Sequence, residues 1–164
     1  MIVIADTTPI NHLVLLGKTE ILRQRYGRVI IPGAVIDKLS TPSAPHDVSR
    51  WAANPPLWLE IRQVVPPIDS ALAALGEGER QAVALAEQLS ADVLLMDDLG
   101  GRREAQRRRL KVTGTLTVLF LAAERGFLDD FAGTLQKLQR TGFRASPQLI
   151  RLFLDRYSKS REKM

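Results

Sequence analysis

The 164-residue chain contains no cysteine. Disulfides, thiolate metal sites and cysteine nucleophiles are therefore all excluded. Histidine is nearly absent too: His12 and His46 are the whole supply. His46 lies in a Pro- and Ser-rich stretch away from any motif, so paired-histidine acid–base chemistry is disfavoured. No apolar run approaches the ~20 residues needed to cross a bilayer. The opening Met1-Ile2-Val3-Ile4-Ala5 runs straight into Asp6 without the basic leader of a secretory signal, so a cytoplasmic location without a membrane partner is expected. Phosphate-binding Gly-x-x-x-x-Gly-Lys, dinucleotide-binding Gly-x-Gly-x-x-Gly and metalloprotease His-Glu-x-x-His patterns are also missing. Chemistry, if the chain performs any, falls to carboxylates and a metal.

What is present is an ordinary globular composition, 45% hydrophobic and 25% charged, with a formal charge of +5. The length suits one domain with a real core. We expect a single domain over 1–158 and a frayed charged tail over 159–164. Excess Lys and Arg favours a polyanionic partner through counterion release, although many basic proteins bind no nucleic acid. Apolar runs at 1–5, Val29-Ile30-Ile31 and Val93 to Met96 read as strands buried on both faces, with an edge strand near Leu57, Leu59 and Ile61. Lys111-Val112 is a brief further strand. Helical spacing separates them, including a segment Ile68 to Leu75, and the last third is helical throughout. Thr7 or Thr8 is expected to cap the first helix, Thr115 a later one and Ser146-Pro147 the last. Strands alternating with helices predict an α/β fold with a mostly parallel sheet covered on both sides.

Acids stand where these elements meet. Asp6 closes the first strand; helix capping is its bland alternative, but the neighbouring threonines offer to cap. Glu79 opens a helix, where the backbone dipole favours an anion, and its helical position directs it toward the sheet better than Glu77. Asp97 and Asp98 follow the third apolar run. Adjacent residues of an extended chain face opposite ways, so both enter one site only if the chain bends, as Gly100-Gly101 allows. Asp97 ranks first, with Asp98 as second ligand or helix cap. Carboxylates gathered beyond strand ends repel unless a hard cation such as Mg²⁺ or Mn²⁺ lies between them. A basic helix carrying Arg102, Arg103, Arg107, Arg108 and Arg109 begins just after the acidic turn. Its arginines are expected to grip a phosphate backbone, while a Glu104–Arg108 pair on a solvated face is the plainer alternative.

In order and spacing these blocks resemble the PIN-domain family, in the branch of VapC-type toxins. The resemblance is carried by Val3-Ile4-Ala5-Asp6-Thr7-Thr8-Pro9-Ile10, Ile31 to Leu39, Gly78 to Ala86, Leu94-Leu95-Met96-Asp97-Asp98 with Arg102-Arg103, and Thr113-Gly114-Thr115-Leu116. It implies a three-layer α/β/α sandwich with a mostly parallel sheet of four to five strands. It implies divalent-metal ligands at Asp6, Glu79 and Asp97, with Asp98 adjacent, and cleavage of RNA. It further implies a small antitoxin partner, and often a homodimer. In its second block the family places a glutamate just before the closing leucine, where this chain has Lys38. A lysine there can hold a substrate phosphate or spoil metal binding. The leading expectation is a metal-dependent endoribonuclease with Arg102, Arg103, Arg107 and Lys38 on the RNA. The alternatives are a PIN-like RNA- or protein-binding module whose site has lapsed, and a phosphoryl-receiver type of regulator, which explains the aspartates but not the basic helix.

Overall fold

Short apolar runs that alternate between two buried faces build the centre of the molecule. A computed structural model describes residues 1–163. Five strands, β1 (Val3–Ala5), β2 (Val29–Pro32), β3 (Leu59–Arg62), β4 (Val93–Leu95) and β5 (Val112–Thr113), pair in the order β3-β2-β1-β4-β5. Every pairing is parallel. Val3, Ala5, Val29, Ile31, Val93 and Leu95 point into one hydrophobic cluster, and Ile4, Ile30, Leu94 and Met96 into the other. Each face needs a helical cover, which explains why the three central strands β1, β2 and β4 carry no polar residues.

Among the described residues, seven helices cover the first face: α1 (Thr7–Leu15), α2 (Glu20–Tyr26), α3 (Gly33–Leu39), α4 (His46–Ala53), and then, further along the chain, α7 (Thr115–Glu124), α8 (Phe131–Arg140) and α9 (Pro147–Glu162). Two cover the second face, α5 (Glu77–Gln88) and α6 (Leu99–Arg107). The result is the expected three-layer α/β/α arrangement. Wholly buried side chains such as Leu13, Ile31, Leu95 and Phe131 each contribute about 1.5–3 kcal/mol by leaving water.

Several local expectations change. The helix expected over Ile68 to Leu75 is a single 3₁₀ turn, Ser70–Leu72, whose Asp69 side chain accepts from the Ala71 amide at 2.9 Å. The tail from Lys159 was expected to fray, yet residues 159–162 continue α9, with Ser160 donating to Glu124; Met164 lies outside the described residues. Thr7 and Thr115 are first residues of their helices rather than caps, and Asp6 and Gly114 hold the cap positions. Ser146 does cap α9, accepting from the Leu149 amide at 3.1 Å.

The remaining layer contact is an ion cluster on the α5–α6 side. Arg108, only 13% exposed, donates to Glu104 at 3.0 Å, Glu87 at 2.6 Å and Asp69 at 3.0 Å. Burial works against its charge, but those bonds outweigh it and hold the guanidinium above its ordinary pKa. The Glu104–Arg108 pair is therefore real but sits inward, not on a solvated face.

Candidate metal centre and adjoining cavity

β1 lies at the middle of the sheet, and the chain leaves it toward β2 on one side and returns as β4 on the other. The carboxyl ends of β1 and β4 thus flank a topological switch point, where open parallel sheets form a crevice. Ala5 pairs with Leu95, and the Asp6 amide donates to the Leu95 carbonyl at 2.9 Å. Asp6 and the Asp97-Asp98 turn are thereby held at the same end of neighbouring strands, which run about 4.8 Å apart.

Strand alternation decides where each acid points. Asp6 keeps extended backbone (φ −84°, ψ 175°) and follows Ala5, so its side chain turns to the α5 layer. There a Cβ on Gly78 would stand 3.2 Å from Asp6 Oδ1, Thr7 Oγ1 and Lys38 Nζ alike. Asp6 is 0% exposed, and neither of its carboxylate oxygens has a hydrogen-bond partner. Burial and the neighbouring Glu79 charge push its pKa up to about 7, against the pull of the Thr7 amide and Lys38, with Asp98 adding to the rise.

Glu79 joins Asp6 from the first turn of α5. Its Oε2 is buried without a hydrogen bond and lies 3.7 Å from Lys38 Nζ. A Cβ on Gly76 would come within 2.5 Å of that oxygen, so the two glycines of Gly76-Glu77-Gly78 leave room for carboxylates. Glu77 instead pairs with Arg80 and accepts from Gln81 Nε2 at 2.8 Å. Lys38 is 42% exposed.

Asp97 follows Met96 and so turns the other way, toward α7. Its Oδ1 accepts from the Thr115 amide at 2.9 Å and its Oδ2 from the Thr115 hydroxyl at 2.6 Å. Burial raises its pKa, while Thr115, Arg102 and His12 oppose the rise. Asp98 returns to the α5 side, and its Oδ2 caps α6 by accepting from the Gly101 amide at 2.8 Å. The ranking of Asp97 over Asp98 rested on which residue closes the strand. Strand parity instead puts Asp98 with Asp6 and Glu79, and Asp97 with Thr115.

Among the arginines of α6 only Arg102 lines the crevice, with Nη1 donating to the Met96 carbonyl at 3.0 Å. Arg103 is exposed on α6. Arg107 is 77% exposed and pairs with Glu104 at 3.3 Å, beyond the edge of the site.

Among the described residues no three acidic or histidine side chains form a ready-made ligand group. Three buried oxygens without partners nevertheless converge from Asp6 and Glu79. They are hard donors of the kind that hold Mg²⁺ or Mn²⁺, and on that observation the residues fit such an ion.

A cavity of about 570 Å³ opens beside these acids. Glu79, Asp97 and Asp98 line one side, and His12, Phe143 and Arg144 line another. Sequence reading did not single out the last two. They lie between α8 and α9, and nothing in their spacing connects them with strand ends elsewhere in the chain.

A parallel α/β sandwich with acids at its switch point defines the class. The family model described as a PIN domain (DUF3368) matches residues 2–159, and the chain belongs to that family. A solved structure of a PilT N-terminus domain protein from the hyperthermophilic archaeon Sulfolobus solfataricus P2 is similar in fold. It has a TM-score of 0.52 and 16% identity, with 72% of this chain and 90% of that chain covered. No curated protein matches the sequence. No described helix is long and apolar enough to cross a membrane.

Proposed function

We propose that the chain is a metal-dependent endoribonuclease whose ion is held by Asp6 and Glu79. The observation carrying this reading is the set of buried, unpartnered carboxylate oxygens at the switch point. Burying carboxylate oxygens without hydrogen bonds is costly, and a bound cation would offset that cost. A hard divalent cation bound there would supply an acidified water and would offset charge on the phosphate.

The chain's own residues do the rest. Gly76 and Gly78 keep the space around the carboxylates clear, and Lys38 tempers their mutual repulsion. Asp98 faces the same layer and stands ready as a further oxygen ligand. Asp97 ties the start of α7 to the end of β4 through Thr115, which fixes the wall opposite. Arg102 braces the turn between them. The net charge of +5 favours RNA at long range.

The test is cleavage of a mixed single-stranded RNA with Mn²⁺ or Mg²⁺ and with EDTA. We expect cleavage that needs the ion and is lost in Asp6→Asn; cleavage indifferent to both sinks the reading. The same proposal places the protein in the cytoplasm as the toxin of a toxin–antitoxin pair, dimeric and restrained by a small partner. Growth arrest on expression, absent in Asp6→Asn, is its check.

A second reading rests on Lys38. Its ammonium, 3.7 Å from Glu79, occupies part of the space a cation would take, as in a module that binds RNA or protein without cutting. Calorimetry separates the two: no heat with millimolar Mn²⁺, together with retained RNA affinity, favours the module.

A further inference from the structure

The cavity beside the acids has a second wall whose chemistry differs from theirs. It is formed by α1 and by the connection between α8 and α9. Phe143 is half-buried there, and its ring meets the His12 ring edge-on, with centroids 5.2 Å apart and planes at 88°. His12 is itself fixed. The Thr141 hydroxyl has one proton and donates it to the Leu138 carbonyl at 2.6 Å, so toward His12 Nδ1, also at 2.6 Å, it accepts. The imidazole thus carries a proton on Nδ1, and burial lowers its pKa against the opposing charge of Asp97. Phe143 is therefore held against a pinned partner and presents a pre-set aromatic surface.

Arg144 follows immediately and lines the same cavity. Among the described residues no acidic side chain pairs with it. An aromatic surface and an unpaired guanidinium share a cavity of about 570 Å³ with Glu79, one of the carboxylates proposed to hold the ion. Pockets of this size suit a small-molecule-sized unit, and one nucleotide of a single strand is such a unit. Single-stranded RNA is held by stacking unpaired bases on aromatic rings and by cations along its backbone.

We propose that this cavity seats the nucleotide adjoining the cleaved phosphate, its base stacked on Phe143 and its phosphate held by Arg144. The inference rests on the endoribonuclease reading for the position of the cleaved bond, but not for the binding itself. It adds a substrate-binding site from a part of the chain that carries none of the acids. It also restricts the substrate to RNA with an unpaired base at that place, since a base within a duplex cannot reach Phe143.

The experiment is a binding titration in EDTA, so that nothing is cut, using a short single-stranded RNA containing one 2-aminopurine. Stacking quenches the fluorescence of that base. The wild type is expected to quench it, and Phe143→Trp to retain the quenching. Phe143→Leu should abolish the quenching and weaken binding roughly ten- to a hundredfold. Arg144→Ala should weaken binding and lower the slope of log affinity against log salt by about 1. Arg151→Ala, an exposed arginine on α9 outside the cavity, serves as the charge-matched control and should bind like wild type. Should Phe143→Leu fail to fold by circular dichroism, Arg144→Ala, at an exposed position, decides alone. Wild-type binding in both Phe143→Leu and Arg144→Ala overturns the proposal, as does a wild type that leaves the probe unquenched. Quenching that depends on Phe143 in a protein that never cuts RNA with Mn²⁺ supports the subsite and defeats only the nuclease reading.

Discussion

The two halves of the strand-end site are built from the same residue types and treated in opposite ways. At the end of β4, Asp97 gives both oxygens to Thr115 and Asp98 caps α6. At the end of β1, Asp6 stands at the cap position of α1 yet caps nothing, and both its oxygens are buried without partners. Thr115 and Gly101 supply donors to one half. The other half meets Glu79, a glycine face and a lysine too distant for a hydrogen bond. Asp97 commits both oxygens to the fold and Asp98 one, whereas both oxygens of Asp6 and Oε2 of Glu79 are left without hydrogen bonds. A single residue of strand offset, with the alternation it imposes, separates Asp6 from Asp97.

That contrast can be broken most sharply at Asp6. Asp6→Asn is expected to reduce metal-dependent RNA cleavage by at least about a hundredfold, the scale of losing one group that places a catalytic ion. The stability of the same protein should respond to pH in the opposite sense to an ordinary paired aspartate. The folded pKa of about 7 lies above the ordinary aspartate value of 3.8, so between those values the folded chain binds the extra proton. Without a divalent ion, stability falls as pH rises from about 4 to about 7 and levels off above. The slope is at most about 1.4 kcal/mol per pH unit. Thermal melts in EDTA should show this in the wild type, and Asp6→Asn should flatten it. Mn²⁺ should restore stability above pH 7 in the wild type only.

The satisfied half makes the complementary prediction. Thr115→Val removes the hydroxyl bond to buried Asp97 and keeps the amide bond. It should cost about 1–2 kcal/mol in denaturant unfolding while leaving Mn²⁺ affinity nearly unchanged; a large loss of Mn²⁺ affinity would mean that Asp97 is a ligand after all. Lys38→Met tests the lysine that neighbours the bare half. Removing a cation that competes for Glu79 should tighten Mn²⁺ binding severalfold by calorimetry, whereas weaker binding would show that Lys38 supports the site. The smallest effect is expected at Arg107, paired only with Glu104 at the surface. Arg107→Ala should change stability by no more than about 0.5 kcal/mol and leave RNA cleavage as it was.

The sheet was legible because both its faces are covered: runs such as Val3-Ile4-Ala5 and Val93-Leu94-Leu95 have no polar alternation to confuse the reading. Asp6 and Glu79 were legible as acids at element junctions. Their missing partners were not, because a hydrogen bond from a neighbour 18 or more residues away, such as Thr115 to Asp97, leaves no local trace. Which of Asp97 and Asp98 faces Asp6 was hidden for the same reason. Parity relative to β1 depends on the β1–β4 register, which pairing alone reveals. Ile68 to Leu75 has helical spacing but only one turn of helix. There the chain is pinned instead through Asp69 to Arg108. The aromatic wall was invisible because Phe143 reads as one more apolar residue in a helical third.

Arg108 gives the bare carboxylates a dependence on distant parts. By gripping Glu87 of α5, Glu104 of α6 and Asp69 of the preceding turn, it latches together the two helices that carry Glu79 and Asp98. Concentrated electrolyte, by weakening that latch, would slacken the alignment of these acids from behind. A loss of activity in brine would then have two origins, a shielded nucleic acid and a loosened scaffold. Only the second would follow Arg108 into its alanine variant.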